Sequence, residues 1–473
     1  MNDTEIRELV ETIVRRVVHE AGSPGPAKSS PSKGDWGVFD DMNDAVEAAY
    51  EAFLEFKERS IQCRKKITDA VRQMALDHKE EFAKMAVEET GMGRIDHKIA
   101  KIINSATYSP GVEFLRPQAW SGKNGLALDE YAPFGVIGNI SPSTHPVATM
   151  VNNIIIQLAG GNTIAFNPHP SAKQVNAKVI QRANQYMVKA GAPNNCVTCV
   201  AEPTLETAKV LFGHKRVDLL SITGGPQVVD LAMTYPKKVI AAGPGNPPVL
   251  IDETADLALA ATEITRSASY DNNVMCIAEK EIFVVERVFE QFMREMEKAG
   301  NVRLTTKQMD ELGKKTLQLS GKHWLIGRDY VGRSAKVLGE AIGMQVSADV
   351  HLLFGETDRN HPWVVAEQMT CCIPVVRVKD FEEGISASVK AEHGFKHTAS
   401  VFTKDIERAT RFTRVLDCDV HCINGGTLRG DGGELGEGYF SHTVATPTGE
   451  GICTPLDFVR KRRIMTHGAL RFV

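Results

Sequence analysis

The chain has 473 residues, 42% hydrophobic and 24% charged, which exceeds what one hydrophobic core supports and predicts roughly two or three domains of ordinary globular composition. A net charge of -4 gives no pull toward nucleic acid, no stretch approaches the roughly 18 unbroken apolar residues of a membrane span, and charges interrupt the N-terminus too often for a secretory signal. Nine cysteines form no dense even-numbered framework, so reduced thiols and a cytoplasmic protein are expected.

In chain order, residues 1–20 come first, where Ile6, Leu9, Val10, Ile13, Val14, Val17 and Val18 make one apolar stripe at helical spacing. The tract GSPGPAKSSPSKG follows, and its Pro, Gly, Ser and Lys content predicts a flexible linker over residues 21–35. A lone helix of this length is marginal in water, so its stripe is expected to dock, either on its own body or on a partner. From Asp40 to about Arg116 the pattern is helical, as in MNDAVEAAYEAFLEF. From Tyr131 strands and helices alternate: FGVIGNI, a helix through Val147–Leu158, NTIAFNP, a helix through Ala172–Lys189, CVTCV, another helix, then VDLLSIT. After PKKVIAAGPGNPPVLID the alternation resumes with EIFVV, a helix from Glu286 to about Ala299, PVVRV, SVFTK, a helix from Asp405 to about Leu416, and DVHCIN. This βα rhythm predicts an α/β chain with parallel sheets and two α/β domains that meet near residues 245–255.

Ligands of such sheets bind beyond the carboxyl ends of the strands. Two strand ends stand out: FGVIGNISPSTHP, which runs into a Ser141-Pro142-Ser143-Thr144-His145-Pro146 turn, and VDLLSITGGPQVV, which ends in Thr223-Gly224-Gly225 at a helix start. Backbone amides and the helix dipole there suit a phosphate, although a glycine turn can equally serve only to connect strand and helix. No GxGxxG is present. The stretch SYDNNVMCIAEKE sets Cys276 behind two asparagines and ahead of charged residues, surroundings that suit a working thiol better than a packing cysteine. The pairs Cys196/Cys199 and Cys418/Cys422 lie in apolar runs that read as buried strands and lack zinc-knuckle spacing, so no metal site is expected. Adjacent Cys371 and Cys372 face opposite ways at a strand start, with core packing as their expected role. The run Arg460–Arg463 reads as a solvated or ion-paired face before it reads as a phosphate contact.

Taken together, EETGMG, FGVIGNISPSTHP, AGGNTIAFNPHPSAK, SITGGPQVV, AAGPGNPPVLID, DNNVMCIAEKEIF, AEQMTCCIPVVRV and ATPTGEGICTPLDFVRKRR resemble, in order and spacing over about residues 36–473, the aldehyde dehydrogenase superfamily. The match is best to its CoA-acylating branch, and within that to the propionaldehyde and acetaldehyde dehydrogenases of bacterial microcompartments. The resemblance implies a Rossmann-like NAD- and CoA-binding domain over 36–247 and a catalytic domain over 248–430. It also implies an oligomerisation hairpin from segments near 120–132 and 440–455, within a C-terminal oligomerisation segment over 431–473, and a helix at 1–20 that targets a microcompartment shell protein. A homo-oligomer, dimer or tetramer, is expected.

By the same resemblance Cys276 is the nucleophile, and its own N–H plus a side chain of the Thr144-His145 turn receive the oxyanion, with Thr144 ahead of His145. Where relatives carry Thr-Asn-Pro, this chain has Thr144-His145-Pro146. Ser141, Pro142, Asn167, His169, Thr223, Gly224, Gly225 and Glu367 match positions that line the NAD site, and CoA is expected in an overlapping pocket. A lysine that commonly binds the adenosine ribose is replaced by Asn167, and NAD is expected over NADP. Hydrolytic members use a glutamate to activate water, whereas the matching stretch Val239–Asn246 holds no carboxylate, so the acyl group is expected to go to CoA. The expected reaction takes a short aliphatic aldehyde, propanal ahead of ethanal, with NAD and CoA to acyl-CoA and NADH. A hydrolytic aldehyde dehydrogenase and an inactive shell scaffold are the alternatives.

Overall fold

The computed structural model describes residues 34–320 and 323–471. The helix expected at 1–20 and nearly all of the linker expected at 21–35 lie outside them. Two parallel sheets carry the architecture. The first has six strands in the order Val38–Phe39, Val197–Val200, Thr163–Asn167, Val136–Ile140, Val217–Thr223, Lys238–Ala242. The second has seven, in the order Val302–Leu304, Leu353–Glu356, Cys372–Val378, Glu281–Val285, Pro248–Ile251, Thr398–Phe402, Val420–Ile423. The central strands are buried at every position, which is why they read as apolar runs and not as alternating patterns.

Strand order fixes where a ligand can enter. From Val136–Ile140 the chain winds outward through Thr163–Asn167 and Val197–Val200, then returns to the other side of its starting strand as Val217–Thr223. The crevice at that reversal lies between the turn after Ile140 and the turn after Thr223. Pro146 begins the helix Pro146–Ala159, where its fixed φ and missing N–H do no harm. That helix is buried along its whole length, so the turn that precedes it is anchored.

Among the described residues four α-helices precede the first sheet's central strands, beginning with Met42–Phe56. It is capped by Asp41, which accepts from the N–H groups of Asn43 and Asp44, and it buries Ala45, Val46, Ala49, Ala52 and Phe56. The fourth, Ile95–Tyr108, departs from the amphipathic pattern: it buries two lysines, Lys98 and Lys101, beside Ile102 and Ala106.

A separate antiparallel sheet joins Gln118–Gly122, Gly125–Pro133 and Val459–His467. Its third strand follows the stretch 440–455, which itself forms the short pair Val444–Ala445 and Gly451–Ile452. In VRKRRIMTH, Arg462 pairs with Glu130 and Arg463 with Asp129 on the neighbouring strand, so part of the run Arg460–Arg463 is the ion-paired face, one of its two expected readings. Among the described residues no helix is long and apolar enough to cross a membrane.

Candidate active site

Cys276 sits in the loop between the helix Leu257–Ala268 and the strand Glu281–Val285. The approach to it is unusual: Asp271, Asn272 and Asn273 all have positive φ, at 50°, 56° and 64°. Asn and Asp tolerate this left-handed conformation better than other side-chain-bearing residues, which accounts for the residue types in YDNN. Three in a row persist only because the surroundings hold them. The two asparagine amides do not surround the thiol as the sequence suggested. Asn272 Nδ2 donates to Gly332 O at 2.8 Å, and Asn273 Nδ2 donates to Ala268 O at 2.7 Å and Glu279 O at 3.1 Å.

The loop is gripped from both sides by buried lysines. Upstream, Lys98 and Lys101 approach Asp271 Oδ2 at 2.8 and 2.5 Å. Downstream, Lys280 Nζ donates to Asn273 Oδ1, Met275 O and Ala278 O at 2.6, 2.8 and 3.0 Å. Across the loop, Gly245 brings its backbone so near that a Cβ there would lie 2.6 Å from Cys276 O and 3.0 Å from His397 Cγ. The Gly245 N–H donates to Glu367 Oε1 at 3.3 Å. The stretch expected to lack a base therefore runs directly beside Cys276, and a glycine backbone occupies the point of contact.

Burial pushes the Cys276 thiol up to about 12, with the charges of Asp431 and Glu367 adding to it and Lys280 opposing. Burial likewise raises Asp431 to about 8 and lifts Glu367 above the ordinary carboxylate value, with Lys280 opposing the latter. The resting thiol is thus protonated.

Thr144 and His145 differ sharply. Thr144 is half-buried, with its hydroxyl 3.5 Å from His145 Nε2. The His145 ring is buried and stacks on His442 at 5.0 Å between centroids. Burial, then Lys101, His442 and Lys98, drive His145 well below histidine's usual value, so it is neutral at pH 7. His442 Nε2 lacks a partner.

The remaining expected residues fall into two groups. Ser141, Pro142, Thr223, Gly224 and Gly225 flank the crevice where the strand order reverses. Ser141 Oγ accepts from Asn176 Nδ2 at 3.1 Å, while Thr223 Oγ1 is buried without a partner. That orphaned hydroxyl, with the exposed Gly225 leading into the helix Pro226–Met233, fits a phosphate-bearing dinucleotide. Asn167 and His169 lie one strand further out. Asn167 is engaged by Thr207, whose hydroxyl donates to its Oδ1 at 2.6 Å, and His169 is exposed, with its Nδ1 accepting from Ser171 N. Cys371 and Cys372 are both buried; Cys371 Sγ lies 3.7 Å from Asn272 Oδ1, whereas Cys372 Sγ lies 3.9 Å from Met309 Sδ. One of the adjacent pair thus touches the Cys276 loop and the other packs away from it.

The aldehyde dehydrogenase family model matches residues 37–316, more than half of the chain. The chain belongs to the aldehyde dehydrogenase family. Among curated relatives, this aldehyde dehydrogenase is 42% identical over 477 residues to the acetylating acetaldehyde dehydrogenase EutE of Salmonella typhimurium, with each chain covered in full. It is 37% identical over 470 residues to the CoA-propanoylating propanal dehydrogenase of Citrobacter freundii, with 99% of each covered. Among solved structures, the propionaldehyde dehydrogenase of Rhodopseudomonas palustris with bound propionyl-CoA superposes with a TM-score of 0.90 at 37% identity, covering 95% of this chain and 100% of that one.

Sequence reasoning missed His397, Lys98, Lys101, Lys280 and Asp431. His397 is fully buried; its Nδ1 lies 2.8 Å from Thr398 Oγ1, its Nε2 has no partner, and burial and Lys280 push it down to about 4. The Lys98–Lys101 spacing of three places both on one helix face, a signal that is visible only once that face is known to be the buried one.

Proposed function

We propose that this aldehyde dehydrogenase is NAD-dependent and CoA-acylating, converting a short aliphatic aldehyde, propanal ahead of ethanal, to its acyl-CoA through a thioester on Cys276. The observation that carries the reading is the Gly245 contact: the backbone laid against Cys276 O there belongs to Val239–Asn246, which offers no carboxylate to activate water. The names of the relatives point the same way. NAD, when bound, accepts the hydride, and CoA supplies the thiol that takes the acyl group.

The protein's own part begins with transfer of the Cys276 proton to solvent and attack of its sulfur on the aldehyde carbon. The developing oxyanion is received by the Cys276 N–H and by the Thr144-His145 turn. Departure of hydride leaves the thioester on Cys276. Attack of a second thiol on that thioester carbon then expels the Cys276 sulfur, which regains a proton. His397 is placed to take the proton of the incoming thiol, because its ring abuts the same Gly245 contact and its Nε2 is free, although burial and Lys280, which push it down to about 4, make it a weak base. Ser141, Pro142, Thr223, Gly224 and Gly225 would hold the dinucleotide at the crevice, with Glu367, Asn167 and His169 as further contacts. A hydrolytic reading has a carboxylate candidate in Glu367, but that carboxyl is held on the Gly245 N–H and raised by burial, which favours the neutral acid.

We further read residues 1–20 as an encapsulation segment for a microcompartment shell protein, and the sheet bearing exposed Trp120, Ile464 and Met465 as a homo-oligomer interface, dimeric or tetrameric. The test of the catalytic reading is NADH production from propanal with and without CoA, on wild type and Cys276→Ala. CoA-dependent formation of propanoyl-CoA that vanishes in the variant is expected; equal turnover without CoA, yielding propanoate, overturns the argument, and silence under every condition favours a scaffold.

A further inference from the structure

We propose that Lys98 and Lys101 are positioning residues that lock the oxyanion-receiving turn and the nucleophile loop to each other through Asp271. The inference rests on the reading of Cys276 and the Thr144-His145 turn given above. Three buried groups carry it. Asp271 is fully buried, and Lys98 and Lys101 are 3% and 2% exposed. Each lysine bridges Asp271 to one catalytic segment. Lys98 Nζ donates to Asp271 Oδ2 at 2.8 Å and to Thr144 O at 2.5 Å. Lys101 Nζ donates to Asp271 Oδ2 at 2.5 Å and to Val274 O at 3.2 Å.

The carbonyls chosen are informative. Thr144 O belongs to the turn that supplies the side-chain donor, and Val274 O lies two residues before the nucleophile. Neither segment would be fixed relative to the other by the sheets alone, since one follows a strand of the first sheet and the other precedes a strand of the second. Asp271 is in turn anchored, with Oδ1 accepting from Arg94 N at 2.8 Å and its own N–H donating to His97 Nδ1 at 2.8 Å. Gly93 leaves the room this requires, because a Cβ there would lie 2.1 Å from Asp271 Oδ1. The unit is therefore a rigid bracket hung on the start of the helix Ile95–Tyr108. Two cations share one carboxylate, so removal of one lysine leaves Asp271 paired with the other, whereas loss of Asp271 would leave two buried cations together. Lysine variants are for that reason the right probes.

The two lysines predict different signatures, which a role in stability alone would not produce. Lys98→Met frees the turn but leaves the Cys276 loop held. It should lower kcat for NADH formation by about 100-fold with the KM for propanal changed less than about threefold, while the alkylation rate of Cys276 by iodoacetamide stays within twofold of wild type. Lys101→Met frees the loop, so kcat falls by a similar factor and the alkylation rate shifts by at least fivefold. Lys98→Arg, which keeps a cationic donor, should recover a tenth or more of wild-type kcat. Wild type and Cys276→Ala run alongside: a Cys276→Ala enzyme that still forms acyl-CoA defeats the functional reading, whereas a dead Cys276→Ala with unaltered lysine variants defeats only this inference. Equal effects of the two lysine variants on both readouts, or a lowered unfolding midpoint with unchanged kcat, overturn it. Should the methionine variants prove insoluble, Lys98→Gln and Lys101→Gln are read by the same split, and failure to separate the two rates counts equally against the proposal.

Discussion

Replacing Gly245 by alanine measures how closely the nucleophile's backbone is fitted. The added Cβ would lie 2.6 Å from Cys276 O and 3.0 Å from His397 Cγ, with no positive φ at Gly245 to add conformational strain. A carbon and a carbonyl oxygen ordinarily approach to about 3.3 Å, so the two segments must part by roughly 0.7 Å. Displacements near 1 Å at a reacting centre cost about 100-fold, whereas overpacking one methyl costs about 1–3 kcal/mol of stability. Gly245→Ala should therefore fold, lose no more than about 3 kcal/mol in urea unfolding, and fall about 30- to 100-fold in kcat. Steady-state NADH formation from propanal and CoA, with the urea midpoint measured on the same preparation, reads both. A kcat within threefold of wild type would show that the contact does not constrain the nucleophile and would refute the reasoning.

The free enzyme's thiol offers a second check: with Cys276 pushed up to about 12 by burial and by Asp431 and Glu367, alkylation of the Cys276 peptide by iodoacetamide should climb about tenfold per pH unit from pH 7 to 10. A plateau below pH 9 contradicts it. Glu281 is fully buried, neither carboxyl oxygen has a partner, and burial raises it well above the ordinary value. An acid raised in the folded state costs stability progressively as pH rises above its unfolded value, so Glu281→Met should stabilise by about 1–3 kcal/mol at pH 8 and by less at pH 5. No gain in the urea midpoint at pH 8 would count against this. Burial alone would raise Asp252, but the hydroxyls of Thr403 and Thr254 and the Arg408 guanidinium outweigh it and lower the carboxyl below its usual value. Its contribution is present above the unfolded value and lost as pH falls, so Asp252→Asn should cost about 3 kcal/mol at pH 7, with the gap closing toward pH 3.

How much of this was legible depended on whether the signal was local. Strands such as VDLLSIT and EIFVV announce themselves because both faces are buried, and the structure has them at Val217–Thr223 and Glu281–Val285. Cys276 stood out by its neighbours for a partly mistaken reason, since the asparagine amides beside it serve the backbone and not the thiol. What could not be read was pairing across distance. Lys98 looks like any helical lysine until Asp271 is placed 173 residues away, and His397 looks like a strand-edge residue until Gly245 is laid against it. The pairing of the antiparallel sheet's third strand was illegible for the same cause, because the acidic partners of RKRR lie more than 300 residues upstream.

These long-range pairs also explain how the loop tolerates its conformation. Three left-handed non-glycine residues in succession cost of order 1–3 kcal/mol each, and no local feature of SYDNNVMC returns that. Lys98 and Lys101 on one side and Lys280 on the other donate to Asp271 Oδ2, Asn273 Oδ1 and the Val274, Met275 and Ala278 carbonyls, which adds charge-assisted bonds at buried acceptors. Relaxing the φ angles would break those bonds, so the strain and the bracket sustain each other. A nucleophile whose pKa is raised by burial gains little from intrinsic thiolate character, and its reactivity must come from placement, which is what a loop held rigid at both ends provides.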